Sequence, residues 1–405
     1  MGTLAAIKSE FGNIDSPGFA DNLVSRASAM IPDLRARAEA DHAAGFTSRQ
    51  TFAELKQAGL TRVMQPRRYG GLEQPLEVFA RAAVAISRGD QSAGWSYGIT
   101  QGHAYHLCLF DKRAQDDVWG DTPDVLIASP YNPYGMAKSV AGGFEFSGSW
   151  PFSSACDHCN WFMLGAFVDG DESRFLTFLV PGSEVEIVDD WKVVGLKATG
   201  SKTVRVKGCF VPEYRTVPFG PGTEGFDFPG FAVNSNPWLR IPYILVFNRL
   251  VSATSIGGLG NMLDTVVEYL APKISVITGK PVSEHPDTLL AVGEAFATYD
   301  ELVTLAIHDL GALTEIAAQG RVPDEATINM FRYRAQSAGA RAADAAKRLF
   351  EESGGGVAYL NKPLARIYSD LMVARNHPAS AMYRDSGRAI GTNLFGGEAE
   401  RRRRF

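Results

Sequence analysis

The sequence predicts an α+β fold in three successive regions: an N-terminal helical domain (1–120), a central antiparallel β-barrel or sandwich (121–230) and a C-terminal helical bundle (231–405). Three observations predict it. Apolar residues recur at helical spacing up to Trp119, short alternating runs rich in β-branched and aromatic residues fill Val125 to Pro218, and long helical spacing resumes at Leu239.

In the first region LRARAEADHAAGF, RQTFAELKQAG and PLEVFARAAVAISRGD each carry an apolar stripe, with Gly and Pro punctuating between them. In the second, GGFEFSGSWPF, WFMLGAFVDG, RFLTFLVP, VEIVDDWKVVG and TVRVKGCFVP are of strand length and are broken by Gly, Asp and Pro. The link PFGPGTEGFDFPGF is too rich in Gly and Pro to continue either pattern. The helical pattern that follows runs to Ile390, interrupted at GKPVSEHPD and QGRVPDE. Gly354, Gly355 and Gly356 stop the helix-like AADAAKRLFEE.

Composition fits a soluble enzyme: 405 residues, 45% hydrophobic and 21% charged, suffice for a large core and argue against disorder. A net charge of -5 gives no electrostatic reason to expect nucleic acid or an anionic membrane as partner. The run Arg401 to Arg404 is read as a solvated tail or a subunit contact. The N-terminus lacks the basic and apolar regions of a signal peptide, and no stretch approaches the ~20 apolar residues that span a bilayer, so a cytoplasmic location is expected.

Four cysteines do not make a disulfide framework. Cys156 and Cys159 form a C-x-x-C, but Cys108 and Cys209 supply no second knuckle, so no metal is expected. No G-x-G-x-x-G joins a strand to a helix and no P-loop occurs, so a doubly wound nicotinamide site is unsupported.

Three blocks carry the chemistry. SGGGVAYLNKPLARIYSDLMVARNHP (353–378) joins a glycine run, with Gly355 and Gly356, to Tyr359, Pro363, Arg366 and Asp370. GLKATGSKTVRVKGCFVP (195–212) places Thr199 and Ser201 in a tight turn before an alternating strand. SGSWPFSSACDH (147–158) carries Trp150, Phe152, Ser153 and Ser154. The first two, in their order along the chain, resemble the flavin-contacting segments of the acyl-CoA dehydrogenase superfamily. The third resembles the W-x-[FW]-x-S-G segment of its branch of two-component flavin-dependent monooxygenases, the oxygenase components that hydroxylate phenols such as 4-hydroxyphenylacetate and steroid-derived phenols. Ser154 takes the place of that branch's active-site serine, and Ala155 replaces its usual glycine.

In the dehydrogenases the glycine-rich segment runs on to a glutamate that deprotonates the thioester. Here Pro378 stands at that position, with His377 just before it. Upstream, SAGWSYGITQGHAYHLCLFDKRAQDDVW (92–119) resembles the branch's helix that presents a histidine to the aromatic substrate. His103, which begins the H-x-x-H-L run, is assigned that place, with His106 as the alternative. His158 is read as part of the strand turn, and His42, His285 and His308 as structural.

The resemblance covers about residues 20 to 395 and implies an oxygenase that takes reduced FMN or FAD by diffusion from a separate NAD(P)H:flavin reductase. With O2 the flavin would form a C4a-hydroperoxide that hydroxylates a small aromatic, a phenol first of all. The residues implied are His377, Ser154 and His103 for catalysis, and Trp150, Phe152, Ser153, Ser154, Thr199, Ser201, Gly355 and Gly356 for flavin. A hydroxyl such as Ser154 hydrogen-bonds without crowding, and an imidazole such as His377 can take a phenol proton. Trp95, Phe152 and Trp161 are candidate pocket walls or core aromatics. The resemblance also implies a homotetramer whose flavin sites are completed across subunits, Arg332 and Arg334 resembling the arginine a neighbour contributes. Nitrogen or sulfur oxygenation, an acyl-CoA dehydrogenase-like activity and a non-catalytic scaffold are the alternatives.

Overall fold

The computed structural model describes residues 3–220, 223, 225–359 and 362–397, so the Arg401–Arg404 run lies outside the described residues. Seven helices come first: α1 (Thr3–Phe11), α2 (Phe19–Ala29), α3 (Ile31–Ala44), α4 (Arg49–Gln57), α5 (Leu76–Gly89), α6 (Gln91–Leu107) and α7 (Lys112–Trp119). Eight strands follow: β1 (Ile127–Ala128), β2 (Gly135–Val140), β3 (Gly143–Ser153), β4 (Trp161–Val168), β5 (Asp171–Pro181), β6 (Glu186–Val188), β7 (Lys202–Pro212) and β8 (Thr216–Pro218). The chain then returns to helices α8 (Tyr243–Leu270), α9 (Pro286–Ala318), α10 (Glu325–Glu352), α11 (Pro363–Arg375), α12 (Pro378–Ala381) and α13 (Tyr383–Leu394). Among the described residues, no helix is long and apolar enough to cross a membrane.

The strands form one sheet in the order β6-β7-β3-β2-β4-β5-β8, with β1 pairing β4 off that path. Most neighbours are antiparallel, as alternation predicts, but β1 and β2 both run parallel to β4, so the sheet is mixed. Its core includes Phe146, Trp150, Phe162 and Phe178. Trp150 fits because Gly135 and Gly148 leave room: a Cβ on either would stand 2.5 or 2.7 Å from the indole.

Helix α6 organises the site. Asp90 caps it, accepting the Ala93 N–H at 3.1 Å. Its residues are buried all round, which requires neighbours on every side. Small residues allow that approach: Gly94 meets Ser87 of α5, while Gly98 and Gly102 meet Leu250 of α8, where a Cβ at 102 would lie 2.4 Å from a Leu250 methyl. Trp95, Ile99 and His103, four residues apart, share one face.

Candidate active site

Ser154 follows β3 and Thr199 and Ser201 precede β7. The pairing of β3 with β7, with Ser153 opposite Lys202, brings them together. The Trp95 indole N–H donates to Ser154 Oγ at 3.1 Å. Ser154 Oγ lies 2.8 Å from Ser201 Oγ, which lies 2.6 Å from Thr199 Oγ1. Thr199 Oγ1 is also 2.8 Å from the Leu196 carbonyl, which can only accept. That fixes every proton in the row. Thr199 donates to Leu196, so Ser201 donates to Thr199 and Ser154 donates to Ser201. Ser154 therefore keeps an acceptor lone pair and has no proton left to give.

Local backbone holds this row. Phe152, Ala155 and Leu196 have φ of 70°, 58° and 52°. The left-handed Phe152 and a register shift between Trp150 and Ser153 break the alternation of β3. Trp150 therefore sits in the sheet core, its N–H on the Gly165 carbonyl at 2.9 Å, while Phe152 is 60% exposed against Trp191. Trp161 packs beneath the Arg215 guanidinium. Of the candidate pocket aromatics, Trp95 alone touches Ser154 in these contacts.

His377 stands across Trp95, ring centroids 5.2 Å apart, with Phe247 of α8 at 6.0 Å. It caps α12: its Nδ1 accepts the Ala379 N–H at 3.2 Å. An accepting Nδ1 leaves the proton of the neutral ring on Nε2, so the free nitrogen is a donor. The residue keeps some solvent access, yet burial of the ring among these aromatics holds its pKa below the ordinary 6.5.

His103 has the opposite tautomer. Its Nδ1 meets the Ile127 carbonyl at 2.6 Å and must donate there. Nε2 then carries a lone pair, and it is buried without a partner among the described residues. Burial lowers the His103 pKa to about 4, against a smaller raising effect of the Ile127 carbonyl. His106 is engaged elsewhere, its Nδ1 2.9 Å from Tyr131 Oη and its ring stacked on Tyr243. Tyr131 in turn meets Tyr243 Oη at 2.9 Å and packs on Phe247, so one aromatic cluster joins His106 to His377.

The glycine run lies elsewhere in the chain. Gly356 abuts Tyr269 near the end of α8. Phe247, beside His377, is near its start. At 1.5 Å per residue the two ends are roughly 30 Å apart. A single chain thus does not bring Gly355 and Gly356 to Ser154. Arg334 pairs with Asp309 at 2.8 Å, as does Arg249 at 2.5 Å. His158 contacts the Thr47 carbonyl and stacks on Phe52. The thiols of Cys156 and Cys159 contact the carbonyls of Gly200 and Ala155, and burial raises both pKa values, that of Cys156 to about 12.

Motif reading passed over one buried group. His42 of α3 lies 3.3 Å from Asp370 and 3.7 Å from Asp90. Burial alone would lower its pKa, but hydrogen bonds and attraction from the two carboxylates outweigh that and raise it to about 9. The sequence signal was an isolated histidine on a helix, which by itself points nowhere.

A helical, β-sheet and helical order, with a hydroxyl row of the β region joined to Trp95 of α6 and His377 packed against that indole, is that of a flavoprotein of acyl-CoA dehydrogenase type. The profile of the acyl-CoA dehydrogenase C-terminal domain matches residues 250–381. The oxygenase subunit HsaA of Rhodococcus jostii, a flavin-dependent monooxygenase, is 32% identical over 382 residues, 92% of this chain and 98% of HsaA. The oxygenase component of the FADH(2)-dependent resorcinol hydroxylase of a Rhizobium species is 28% identical, over 92% of this chain and 94% of its own length. The crystal structure of 3-HSA hydroxylase from Rhodococcus sp. RHA1 superposes with a TM-score of 0.88 at 30% identity, covering 94% of this chain and 98% of the other. The chain belongs to the family of oxygenase components of two-component flavin-dependent monooxygenases.

Proposed function

We propose that this enzyme hydroxylates a small phenol, using O2 and reduced FMN or FAD delivered by a separate NAD(P)H:flavin reductase. One observation carries the substrate class: the buried, unpartnered Nε2 lone pair of His103. A buried acceptor without a donor costs on the order of 1–3 kcal/mol, and a phenolic O–H satisfies it. The names of the relatives agree, one of them being a resorcinol hydroxylase. An open acceptor favours an O–H substrate over a thioether, which has no proton to give.

Reduced flavin, when bound, activates O2 and supplies one oxygen atom to the ring. The residues fit it. Ser154, whose own proton is committed to Ser201, offers an acceptor, which suits the N–H of a reduced isoalloxazine better than the bare nitrogen of the oxidised form. The turn hydroxyls of Thr199 and Ser201 fix that lone pair, and the buried, unpaired Ser153 Oγ is a further polar contact. His377, neutral with its proton on Nε2, donates there a hydrogen bond to oxygen at the reacting face rather than taking the phenol proton as expected from the sequence, while the open Nε2 of His103 accepts a hydrogen bond from the phenolic O–H, which orients the phenol and makes its ring more electron-rich. Trp95 and Phe247 pack on the His377 ring and shield it from water.

The glycine run belongs in this reading to the flavin site of a neighbouring subunit in a homotetramer. Exposed apolar side chains on α9 and the loop before it, Val276, Ile277, Leu289, Leu290 and Phe296, support such packing.

The deciding experiment supplies the protein with chemically reduced flavin, 18O2 and a panel of phenols, and follows products by mass spectrometry. One 18O atom in a catechol or hydroquinone product is expected. Peroxide release with no labelled product from any phenol would overturn the substrate class. Reduction of bound oxidised flavin by an acyl-CoA would favour the dehydrogenase alternative instead.

A further inference from the structure

The row of hydroxyls that begins at Trp95 ends on the carbonyl of Leu196. The N–H of the same residue is held too: it donates to Asp370 of α11 at 2.6 Å. The other oxygen of Asp370 faces His42 Nε2 at 3.3 Å, and His42 faces Asp90 at 3.7 Å. Asp90 is the cap of α6, the helix that carries Trp95. The path therefore closes on itself: Trp95, Ser154, Ser201, Thr199, Leu196, Asp370, His42, Asp90 and back along α6 to Trp95.

Charge and packing agree with a built contact. Asp90 also meets the Arg366 guanidinium at 3.2 Å, so two cations face two carboxylates, and both carboxylates are sealed from solvent. Ser92 Oγ adds a contact to His42 Nε2 at 3.3 Å. The turn presses directly on α11, since a Cβ on Gly195 would stand 2.3 Å from the Ser369 carbonyl oxygen. Leu196 itself is left-handed, a conformation that costs a non-glycine residue roughly 1–2 kcal/mol and needs outside support. Thr47, donating to the Ala198 carbonyl, and Trp191, donating to the Leu196 carbonyl, tether the turn's other edges.

We propose that His42 is a positioning residue: held between Asp370 and Asp90, its imidazole keys the Gly195–Ser201 turn to the start of α6 and so fixes where the hydroxyls of Thr199, Ser201 and Ser154 stand. What those hydroxyls serve rests on the function proposed above; the keying itself does not. Among the described residues, none of His42, Asp90 and Asp370 contacts Ser154 or His377, so the effect is transmitted through the turn.

Amide hydrogen exchange on the flavin-free, full-length protein tests the keying, and reduced-flavin titration tests its use. In His42→Ala, exchange in the peptide spanning 195–201 should rise about tenfold, as for loss of one charge-assisted contact, while strands β4 and β5 stay within about twofold. His42→Gln, which keeps one neutral donor, should recover part of the protection and serves as the variant of choice if His42→Ala does not fold. Affinity for reduced flavin should weaken about tenfold in parallel. Unchanged exchange at 195–201, or a rise shared equally by the whole sheet, would overturn the proposal; looser exchange with unaltered flavin affinity would support the keying and count against a flavin role for the hydroxyls. Failure of the wild-type protein to bind reduced flavin would sink the functional reading, and exchange at 195–201 would still decide the keying.

Discussion

His42 and His103 are both sealed in the protein, 8% and 0% exposed, yet their pKa values move in opposite directions, to about 9 and about 4. Burial is common to both; the partners differ. His42 lies between two carboxylates that more than repay the loss of water around a cation, whereas among the described residues His103 has one hydrogen-bond partner, the Ile127 carbonyl, and packs against Tyr131. The first histidine meets both carboxylates through its Nε2 and holds structure. The second is neutral and leaves one nitrogen open, the arrangement a binding or proton-accepting role requires.

The sharpest way to break this contrast is kinetic. His103→Ala should lower phenol hydroxylation by about 10-fold to 10²-fold, the scale of one lost buried hydrogen bond to the substrate, with reduced-flavin affinity held within about threefold. His377→Ala, which removes a donor at the oxygen side, should instead divert O2 to peroxide and lower product per flavin oxidised. Stopped-flow and coupling measurements on the two variants separate them. Equal loss of flavin affinity in both would mean that neither histidine acts as proposed, one on the phenol and the other on oxygen.

Stability against pH sharpens the same contrast with smaller effects. For His103 the folded pKa lies below the ordinary 6.5, so its contribution is present above 6.5 and is lost as pH falls through about 4. For His42 the folded pKa lies above 6.5, so its contribution is complete below 6.5 and is lost as pH rises through about 9. Each limb amounts to about 3 kcal/mol at most, at 1.36 kcal/mol per pH unit. Urea midpoints measured from pH 4 to pH 10 should describe a dome. His42→Gln should flatten the alkaline side and, because His42 holds the Asp90 pKa down against burial, also weaken the acid side somewhat, whereas a variant lacking the His103 imidazole should flatten only part of the acid side, because His106 and His377 are also held neutral by burial. An alkaline limb that survives in His42→Gln would refute the charged reading of His42.

These contrasts explain what the sequence could and could not disclose. The three-region order was legible because helical and strand periodicities are local. The parallel pairing of β1 and β2 with β4 was not, since β1 is two residues long and its partner is chosen by the whole sheet. In the site, Ser154, Thr199 and Ser201 were legible because short motifs hold them, and the structure joins them in one hydrogen-bonded row. The opposite placements of Trp150 and Phe152 were not legible for a physical reason: alternation puts them on one face, and the left-handed turn at Phe152 reverses that. His42 was invisible because its meaning lies in Asp90 and Asp370, carried by distant helices. The tautomers of His103 and His377 were equally invisible, being set by the backbone groups of Ile127 and Ala379.

The smallest expected effect concerns Ala155, where the family's usual residue is glycine. It sits at φ 58°, buried, with its N–H on the Thr199 carbonyl at 2.8 Å. Ala155→Gly should relieve roughly 1–2 kcal/mol of left-handed strain. Against that stand about 0.8 kcal/mol for one buried methyl and about 0.4–1 kcal/mol for the freer unfolded chain. The terms nearly cancel, so stability should change by less than about 1 kcal/mol in either direction. Because the backbone hydrogen bond to Thr199 survives, the hydroxyl row and reduced-flavin affinity should stay as they are. A stability gain well above that figure would show that the methyl is crowded rather than packed. A loss of flavin affinity would show that Ser154 is held by the Ala155 side chain, and not, as the contacts indicate, by the turn that His42 and Asp370 secure.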